Sequence, residues 1–234
     1  MFHFKQFSIA QDQCAMKVGT DSILLGAWIK AEAPRYILDI GSGSGVLSLM
    51  MAQKFPSAII HGVEIEPKAC QQARENIAAS PWKNNVKSIL SSIQAYQSAL
   101  HYDLIISNPP FFSADLAASG KSRSLARKGA ELSILELIEQ IDRFLAEHGS
   151  AHIILPLPQL ASLKSLLAAQ KMFPQRISTI YPKKGKSPHR FLMAFGKKQK
   201  KLVEDELCIQ VGGANEYSEA YKVLTQEFYK HSLV

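Results

Sequence analysis

The chain has 234 residues, of which 47% are hydrophobic and 20% are charged, and its formal net charge is +7. This balance excludes a disordered, collagen-like or coiled-coil protein, and no apolar run approaches the ~18 residues of a membrane-spanning helix. Three cysteines without a CxxC pair argue against a disulfide framework or a zinc ribbon. The histidines show no HExxH or other close pairing, so we expect no metal site. Free thiols and the lack of a signal-like N-terminus favour a cytoplasmic protein.

Apolar periodicity and turn residues predict helices that alternate with strands over most of the chain. In chain order we expect a helix at 21–29, a strand at 36–40, a glycine loop at 41–45, a helix at 46–53, a strand at 58–64, a helix at 67–79, strands at 86–90 and 102–107, a helix at 132–147, a strand at 151–155, a helix at 159–170, and strands at 176–181, 190–195 and 207–211. Thr20 or Asp21 is expected to cap the first helix, and Pro67 begins the third.

This alternation predicts an α/β fold in which a mostly parallel central sheet is buried between helices on both faces. The late strands have no long helices between them, so an antiparallel C-terminal edge is expected. We expect one domain at 1–234, in which an N-terminal extension at 1–30 precedes a core at 31–234.

A glycine-rich loop, Gly41-Ser-Gly-Ser-Gly45, lies between the first strand and its helix and follows Asp39. Glycines there let the backbone turn tightly and approach a ligand closely. The dinucleotide fingerprint GxGxxG would need glycine where Val46 stands, which disfavours a nicotinamide oxidoreductase. The GxGxG pattern after an acid instead resembles the first motif of the class I S-adenosylmethionine-dependent methyltransferases, whose fold is Rossmann-like.

Further residues extend this predicted cofactor site along the strand ends. Glu64 ends the second strand, where a carboxylate can accept hydrogen bonds from ribose hydroxyls. Ser92 follows the third strand at the position where these enzymes commonly carry an aspartate for the adenine edge, and a hydroxyl can also bond there. The expected cofactor-binding set in this region is Asp39, Gly41, Ser42, Gly43, Glu64, Ile65, Ser92 and Asn108.

A tetrapeptide, Asn108-Pro109-Pro110-Phe111, closes the fourth strand and resembles the (D/N)PP(Y/F) motif of methyltransferases that act on amino groups conjugated to a π system. The lone pair of such an amine is delocalised, so the nitrogen must be oriented before it can attack a methyl group. The Asn108 side-chain oxygen and the Pro109 carbonyl can each accept one N–H. Pro110 stiffens the turn, and Phe111 offers a face on which a flipped base can stack.

Sequence flanking these motifs is similar to the bacterial valine-tRNA (adenine 37, N6) methyltransferases. The matching segments are Phe4-Lys-Gln-Phe7, Met16-Lys-Val-Gly-Thr-Asp21, Leu24-Leu-Gly-Ala-Trp28, Arg123-Ser-Leu-Ala-Arg127, Pro188-His-Arg190, Tyr217-Ser-Glu-Ala-Tyr221 and Leu224-Thr-Gln-Glu-Phe-Tyr229. The resemblance implies S-adenosylmethionine as methyl donor and N6 of adenine 37, beside the anticodon of a valine tRNA, as acceptor. It also implies that Lys17, Gly19, Thr20 and Asp21 border the methionine end of the cofactor.

Basic residues predict where RNA binds. Residues 148–203 contain no acid and eleven Lys or Arg residues, and a second acid-free patch at 116–130 carries Lys121, Arg123, Arg127 and Lys128. Clustered cations of this kind attract phosphate backbones. The expected RNA-binding residues are Arg123, Arg127, Lys183, Lys184, Lys186 and Arg190. An enzyme of this size can act as a monomer.

Other functions stay open from the sequence alone. The same tetrapeptide chemistry suits guanine N2 of ribosomal RNA or the glutamine amide of a release factor, although the basic C-terminal third disfavours a protein substrate. A catalytically silent RNA-binding module is a further alternative, against which the intact glycine loop and tetrapeptide argue.

Overall fold

The computed structural model describes residues 1–14, 16–109, 132–213 and 215–229. Its strands are β1 Phe2–His3, β2 Ser8–Ile9, β3 Tyr36–Ile40, β4 Ile59–Glu64, β5 Val86–Leu90, β6 Tyr102–Ser107, β7 Leu145–Pro156, β8 Phe173–Lys183, β9 Arg190–Gly196 and β10 Val203–Gln210. Its helices are α1 Thr20–Trp28, α2 Val46–Lys54, α3 Pro67–Ala78, α4 Ile134–Phe144, α5 Leu160–Ala169 and α6 Glu219–Thr225. None of the helices in this part of the chain is both long and apolar enough to cross a membrane.

Strands β3 to β10 form one sheet in the order β10-β8-β9-β7-β6-β3-β4-β5. Strands β3, β4, β5, β6 and β7 are parallel, and β9 runs antiparallel to both of its neighbours, β7 and β8. The predicted α/β architecture and the antiparallel pairing late in the chain are therefore confirmed. The edge strand β10 pairs in parallel with β8, however, and not as a hairpin. Because β7 already occupies the far side of β9, β10 adds to the free side of β8.

Successive residues of the central strands pack into separate cores on the two faces of the sheet. Ile37 of β3 belongs to the core beneath α1, α2 and α6, whereas its neighbour Leu38 belongs to the core beneath α4 and α5. A strand that is apolar on both faces is the pattern of a doubly covered parallel sheet. This arrangement brings the carboxyl ends of β3, β4, β5 and β6, and the loops that follow them, to one edge of the sheet.

Two expectations about element ends need correction. Helix α1 is capped by Gly19 without a side-chain bond, and not by Thr20 or Asp21. The predicted helix at 132–147 ends at Phe144, because Leu145 leaves the helix to pair with Tyr102 of β6 as the first residue of β7. The start of that helix follows local rules, since Ser133 and Glu136 form a reciprocal capping box.

The N-terminal extension is bound to the core by hydrogen bonds that the sequence did not predict. The side chain of Asn76 in α3 both donates to and accepts from the backbone of Ala10, and it also donates to the carbonyl of Ser44 in the glycine loop. Phe4 forms a backbone bridge with Tyr229, which joins the N-terminal extension to the last described residue. The strands β1 and β2 and the helix α6 were missed because each is short.

Candidate active site

The glycine loop is shaped by positive φ angles and held by the neighbouring strand. Gly41, Gly43 and Gly45 have φ of +72°, +53° and +80°, which is the left-handed region that glycine enters without strain. The carbonyl of Val63 at the end of β4 accepts from the amides of Gly41 and Ser42 at 2.9 and 3.2 Å. No described atom lies within 4 Å of where a Cβ on Gly41 or Gly43 would stand, so open space adjoins the loop.

Asp39 lies directly beneath this loop and is completely buried. Its Oδ2 accepts a hydrogen bond of 2.7 Å from the Ser48 hydroxyl, while its Oδ1 has no partner among the described residues. Burial disfavours the ionised carboxylate and raises the pKa of Asp39 to about 7, an effect that the bond from Ser48 partly offsets. Asp39 is therefore bonded to α2 through Ser48, and it does not line the cavities that surround the loop.

A cavity of about 260 Å³ lies at the carboxyl ends of β3, β4, β5 and β6. Of the residues predicted to bind cofactor, its wall contains Gly41, Gly43, Glu64, Ile65, Ser92 and Asn108. The wall is mostly apolar, and the exposed Ile65 side chain forms part of it. A largely apolar cavity with a few polar groups at its rim is the usual form of a nucleoside-sized binding site.

The carboxylate of Glu64 is fixed at the rim of this cavity by two backbone amides. Its Oε2 accepts from Gly43 at 2.7 Å, and its Oε1 accepts from Glu66 at 2.9 Å. Each carboxylate oxygen has two lone pairs, so both oxygens can accept a further bond from a ligand hydroxyl. Ser92 lies across the same cavity, where its hydroxyl accepts from the amide of Ala95.

A second cavity of about 400 Å³ lies on the other side of the glycine loop. Its wall contains Lys17, Gly19, Thr20, Asp21 and Ser42, all predicted to be near the cofactor, together with His189 and Arg190. Gly41, Gly43, Asn108 and Pro109 line both cavities. The start of the tetrapeptide therefore stands where the two cavities adjoin.

Asn108 is held by a contact that sequence reasoning missed. Its Nδ2 donates a hydrogen bond of 3.0 Å to the hydroxyl of Ser22 in α1, and its Oδ1 accepts none from the described residues. Residues Pro110 and Phe111 lie outside the described part of the chain, as do Arg123 and Arg127. Their predicted roles therefore remain predictions.

The predicted RNA contact Arg190 forms an ion pair with Asp21. The Arg190 Nε lies 3.0 Å from the Asp21 Oδ2, and both side chains are only about one-fifth exposed. The pair joins the first residue of β9 to the start of α1 across the second cavity. Arg190 therefore shapes this cavity as well as facing any ligand within it.

The cationic stretch at 148–203 is partly neutralised by acids from elsewhere in the chain. Five of its cations form ion pairs with such acids: Lys164 with Glu204, Arg176 with Asp205, Arg190 with Asp21, Lys197 with Asp142, and Lys198 with Glu147. Within the described residues, Lys183, Lys184 and Lys186 have no ion-pair partner. These three lie at the turn between β8 and β9, and Lys184 and Lys186 are exposed.

Metal-binding chemistry has no support in the described residues. No group of three or more His, Cys, Asp or Glu side chains in that part of the chain could hold an ion.

Cys14 contributes to the wall of the first cavity, and burial together with the nearby Glu64 raises the pKa of its thiol. This places Cys14 among the apolar wall residues, not among the nucleophiles.

Comparisons with known proteins agree with this geometry. A family model described as the methyltransferase small domain matches residues 13–156, more than half of the chain. A tRNA1(Val) (adenine(37)-N6)-methyltransferase of Tolumonas auensis is 42% identical over 229 residues, which cover 97% of this chain and 96% of the relative. A protein of the same name from Bacteroides thetaiotaomicron is 38% identical over 231 residues, which cover 98% and 97%.

Solved structures of other methyltransferases share the fold at low sequence identity. A predicted O-methyltransferase from Agrobacterium tumefaciens has a TM-score of 0.69 and 16% identity, covering 89% of this chain and 96% of that one. The tRNA m1G37 methyltransferase of M. jannaschii has a TM-score of 0.54 and 14% identity, covering 76% of this chain and 47% of that one.

The sheet order, the glycine loop and the two adjoining cavities define a class I methyltransferase. Within that class, the chain belongs to the family of the tRNA1(Val) (adenine(37)-N6)-methyltransferases. The family resemblance in the flanking sequence is thereby confirmed over nearly the whole chain.

Proposed function

We propose that this protein transfers a methyl group from S-adenosylmethionine to N6 of adenine 37 in a valine tRNA. The observation that carries the proposal is the position of Asn108 and Pro109, which line both cavities. A methyl donor that spans the two cavities along the glycine loop would bring its methyl group beside these two residues, where the target base would bind. Membership of the family supports the choice of substrate.

The residues of the first cavity fit the adenosine part of S-adenosylmethionine. Glu64 offers two oriented carboxylate oxygens to the ribose hydroxyls, Ile65 offers an apolar surface to the base, and Ser92 offers a hydroxyl to the adenine edge. The open space beside Gly41 and Gly43 leads from this cavity to the second one. There the methionine end would lie against the loop and the start of α2, whose free amides favour a carboxylate.

When bound, S-adenosylmethionine supplies a methyl group activated by its sulfonium sulfur. The protein's own contribution is to orient the acceptor amine. Where the two cavities adjoin, the Oδ1 of Asn108 and the carbonyl of Pro109 would each accept one N–H of the adenine N6, which directs the nitrogen lone pair toward the methyl group of the donor. Fixed acceptors of this kind lower the barrier because they need no reorganisation during the reaction. The methylated nitrogen then loses one proton, so no base is required before the attack.

The exposed turn between β8 and β9 is the proposed contact with the tRNA backbone. Lys183, Lys184 and Lys186 are not neutralised by acids of the described residues, and the strand that follows the turn begins at Arg190 in the wall of the second cavity. Cations at this place would bind phosphates in a sequence-independent way. Arg123 and Arg127 are proposed to add contacts to the anticodon loop.

Three further proposals accompany this function. The protein acts in the cytoplasm, where its three free cysteines would stay reduced. It acts as a monomer, and residues 1–234 form one catalytic unit in which residues 1–30 border the cofactor.

The proposal is tested by methyl transfer from labelled S-adenosylmethionine to bulk tRNA, ribosomal RNA and release factor in parallel reactions. Digestion of the product to nucleosides identifies the acceptor atom. We expect label in N6-methyladenosine from tRNA. Label only in ribosomal RNA or in the release factor would keep the chemistry and overturn the substrate, and binding of tRNA without any transfer would identify a silent RNA-binding module.

A further inference from the structure

We propose that Ser22 is a positioning residue that holds the Asn108 amide in the orientation required for methyl transfer. The inference rests on the proposed function, because it concerns how the acceptor amine is oriented. It gives the N-terminal extension a role in catalysis in addition to its predicted role beside the cofactor. The main evidence is the hydrogen bond of 3.0 Å from Asn108 Nδ2 to the Ser22 hydroxyl, which joins residues 86 positions apart.

An asparagine side chain has a donor end and an acceptor end of nearly the same shape. The carbonyl oxygen can accept an N–H from an amine, whereas the amide nitrogen carries only donors. A half-turn of the amide would present two N–H groups to the N–H groups of the target base, and no hydrogen bond would form. Catalysis therefore requires that something distinguishes the two ends of the Asn108 side chain.

Ser22 favours one of the two orientations because the structure places its hydroxyl as the acceptor for the nitrogen end. With Nδ2 engaged by Ser22, Oδ1 accepts no bond from the described residues and is free for the target amine. Ser22 is itself only 8% exposed, and its hydrogen bond with Asn108 is partly buried. Loss of a partly buried hydrogen bond carries a free-energy cost, so the bond favours the observed orientation of the amide.

Helix α1, which carries Ser22, is fixed at both of its ends. At its start, Asp21 pairs with Arg190 of β9 at 3.0 Å. At its end, the Lys54 ammonium donates to the backbone carbonyls of Ala27 and Ile29, where cations favour a helix C-terminus. These contacts hold the Ser22 hydroxyl at a defined place relative to the tetrapeptide.

The first test compares Ser22→Ala with Ser22→Thr, which keeps the hydroxyl. We expect Ser22→Ala to lower kcat by about 10- to 100-fold, because the acceptor oxygen loses its orientation. The Kd for S-adenosylmethionine and the KM for tRNA should change little, and Ser22→Thr should recover most of the lost kcat. An Ala variant with normal kcat would overturn the inference, and so would an equal loss in the Thr variant with an unchanged Tm.

A second test uses Asn108→Asp, in which both ends of the side chain are acceptors. Orientation then no longer matters, so adding Ser22→Ala to this variant should lower kcat by less than about 3-fold. If Ser22→Ala caused the same fold-loss in the wild-type protein and in the Asn108→Asp variant, Ser22 would not act through the side chain at position 108. That result would overturn the inference.

A third readout needs neither tRNA nor turnover. In the 1H–15N spectrum of the free protein, the Asn108 side-chain amide signal is identified by its loss in Asn108→Asp. We expect one of its protons to be shifted and slow to exchange, and both features to vanish in Ser22→Ala. An unchanged signal would overturn the inference. Failure of the wild-type protein to methylate tRNA would instead overturn the proposed function, because this spectrum still tests the contact.

Discussion

The buried carboxyl group of Asp39 makes protein stability depend on pH in an unusual direction. Its pKa is raised from 3.8 to about 7 because burial disfavours the charged form. Between these two values the folded protein holds a proton on Asp39 that the unfolded chain has released. The stabilising contribution of this group is therefore complete below about pH 4 and is lost as the pH rises toward about 7.

The variant Asp39→Asn removes this dependence while it keeps an acceptor for the Ser48 hydroxyl. A shift of about 3 pKa units corresponds to about 4 kcal/mol at about 1.4 kcal/mol per unit. We therefore expect the variant and the wild type to have similar free energies of unfolding near pH 4. The variant should become more stable than the wild type as the pH rises, by up to about 4 kcal/mol above pH 7.

The assay is chemical unfolding of both proteins at a series of pH values from 4 to 8.5, because the difference between the curves isolates Asp39 from all other carboxylates. Ser48→Ala serves as a matched variant. Ser48 lowers the pKa of Asp39 by its hydrogen bond, so losing it should move the end of the pH-dependent range upward. A difference between wild type and Asp39→Asn that is constant over the whole pH range would refute the reasoning.

Three further predictions concern catalysis and binding. Asn108→Ala should lower kcat at least about 100-fold with little change in the Kd for S-adenosylmethionine, measured by single-turnover kinetics and calorimetry, because it removes an acceptor that acts on the amine. Lys184→Ala combined with Lys186→Ala should raise the KM for tRNA several-fold and reduce the slope of log Kd against log salt concentration by about 1.5, since two phosphate contacts are lost. Gly62→Ala should weaken S-adenosylmethionine binding in calorimetry, because its new Cβ would stand 2.9 Å from the Ser42 side chain and displace the glycine loop.

The controls for these predictions are variants with the same chemical change at another place. Lys200→Ala combined with Lys201→Ala removes the same charge just before β10, at the opposite end of the sheet from the β8–β9 turn. An equal loss of tRNA affinity in this control would contradict a local RNA contact at the turn. Loss of S-adenosylmethionine binding in Asn108→Ala would contradict the claim that Asn108 acts only on the acceptor amine. Unchanged S-adenosylmethionine binding in Gly62→Ala would contradict the claim that close packing of Gly62 against Ser42 holds the glycine loop in place.

Local sequence signals sufficed for the central part of the fold. The strands at Tyr36–Ile40, Val86–Leu90 and Tyr102–Ser107 were predicted with their observed bounds, because their apolar residues give way there to polar or turn residues. The end of α4 could not be predicted in the same way. Leu145 continues the apolar spacing of the helix, and only its pairing with β6 turns the backbone into a strand.

Long-range contacts account for what the sequence did not reveal about the site. The cations at 148–203 are uncompensated in a linear count, yet acids as distant as Asp21 neutralise five of them. Likewise, the partner of Asn108 is Ser22, which carries no motif of its own and is predicted simply as part of a helix. Spacing indicates which residues share an element, but it does not show which side chains meet across the fold.

The central claim is that the site methylates the exocyclic amine of adenine 37. Its most direct test uses unmodified valine tRNA transcripts that differ only at base 37, incubated with the protein and labelled S-adenosylmethionine. The account predicts stoichiometric N6-methyladenosine in the transcript with adenine 37 and no incorporation when guanine replaces that base. Equal incorporation into both transcripts would contradict it.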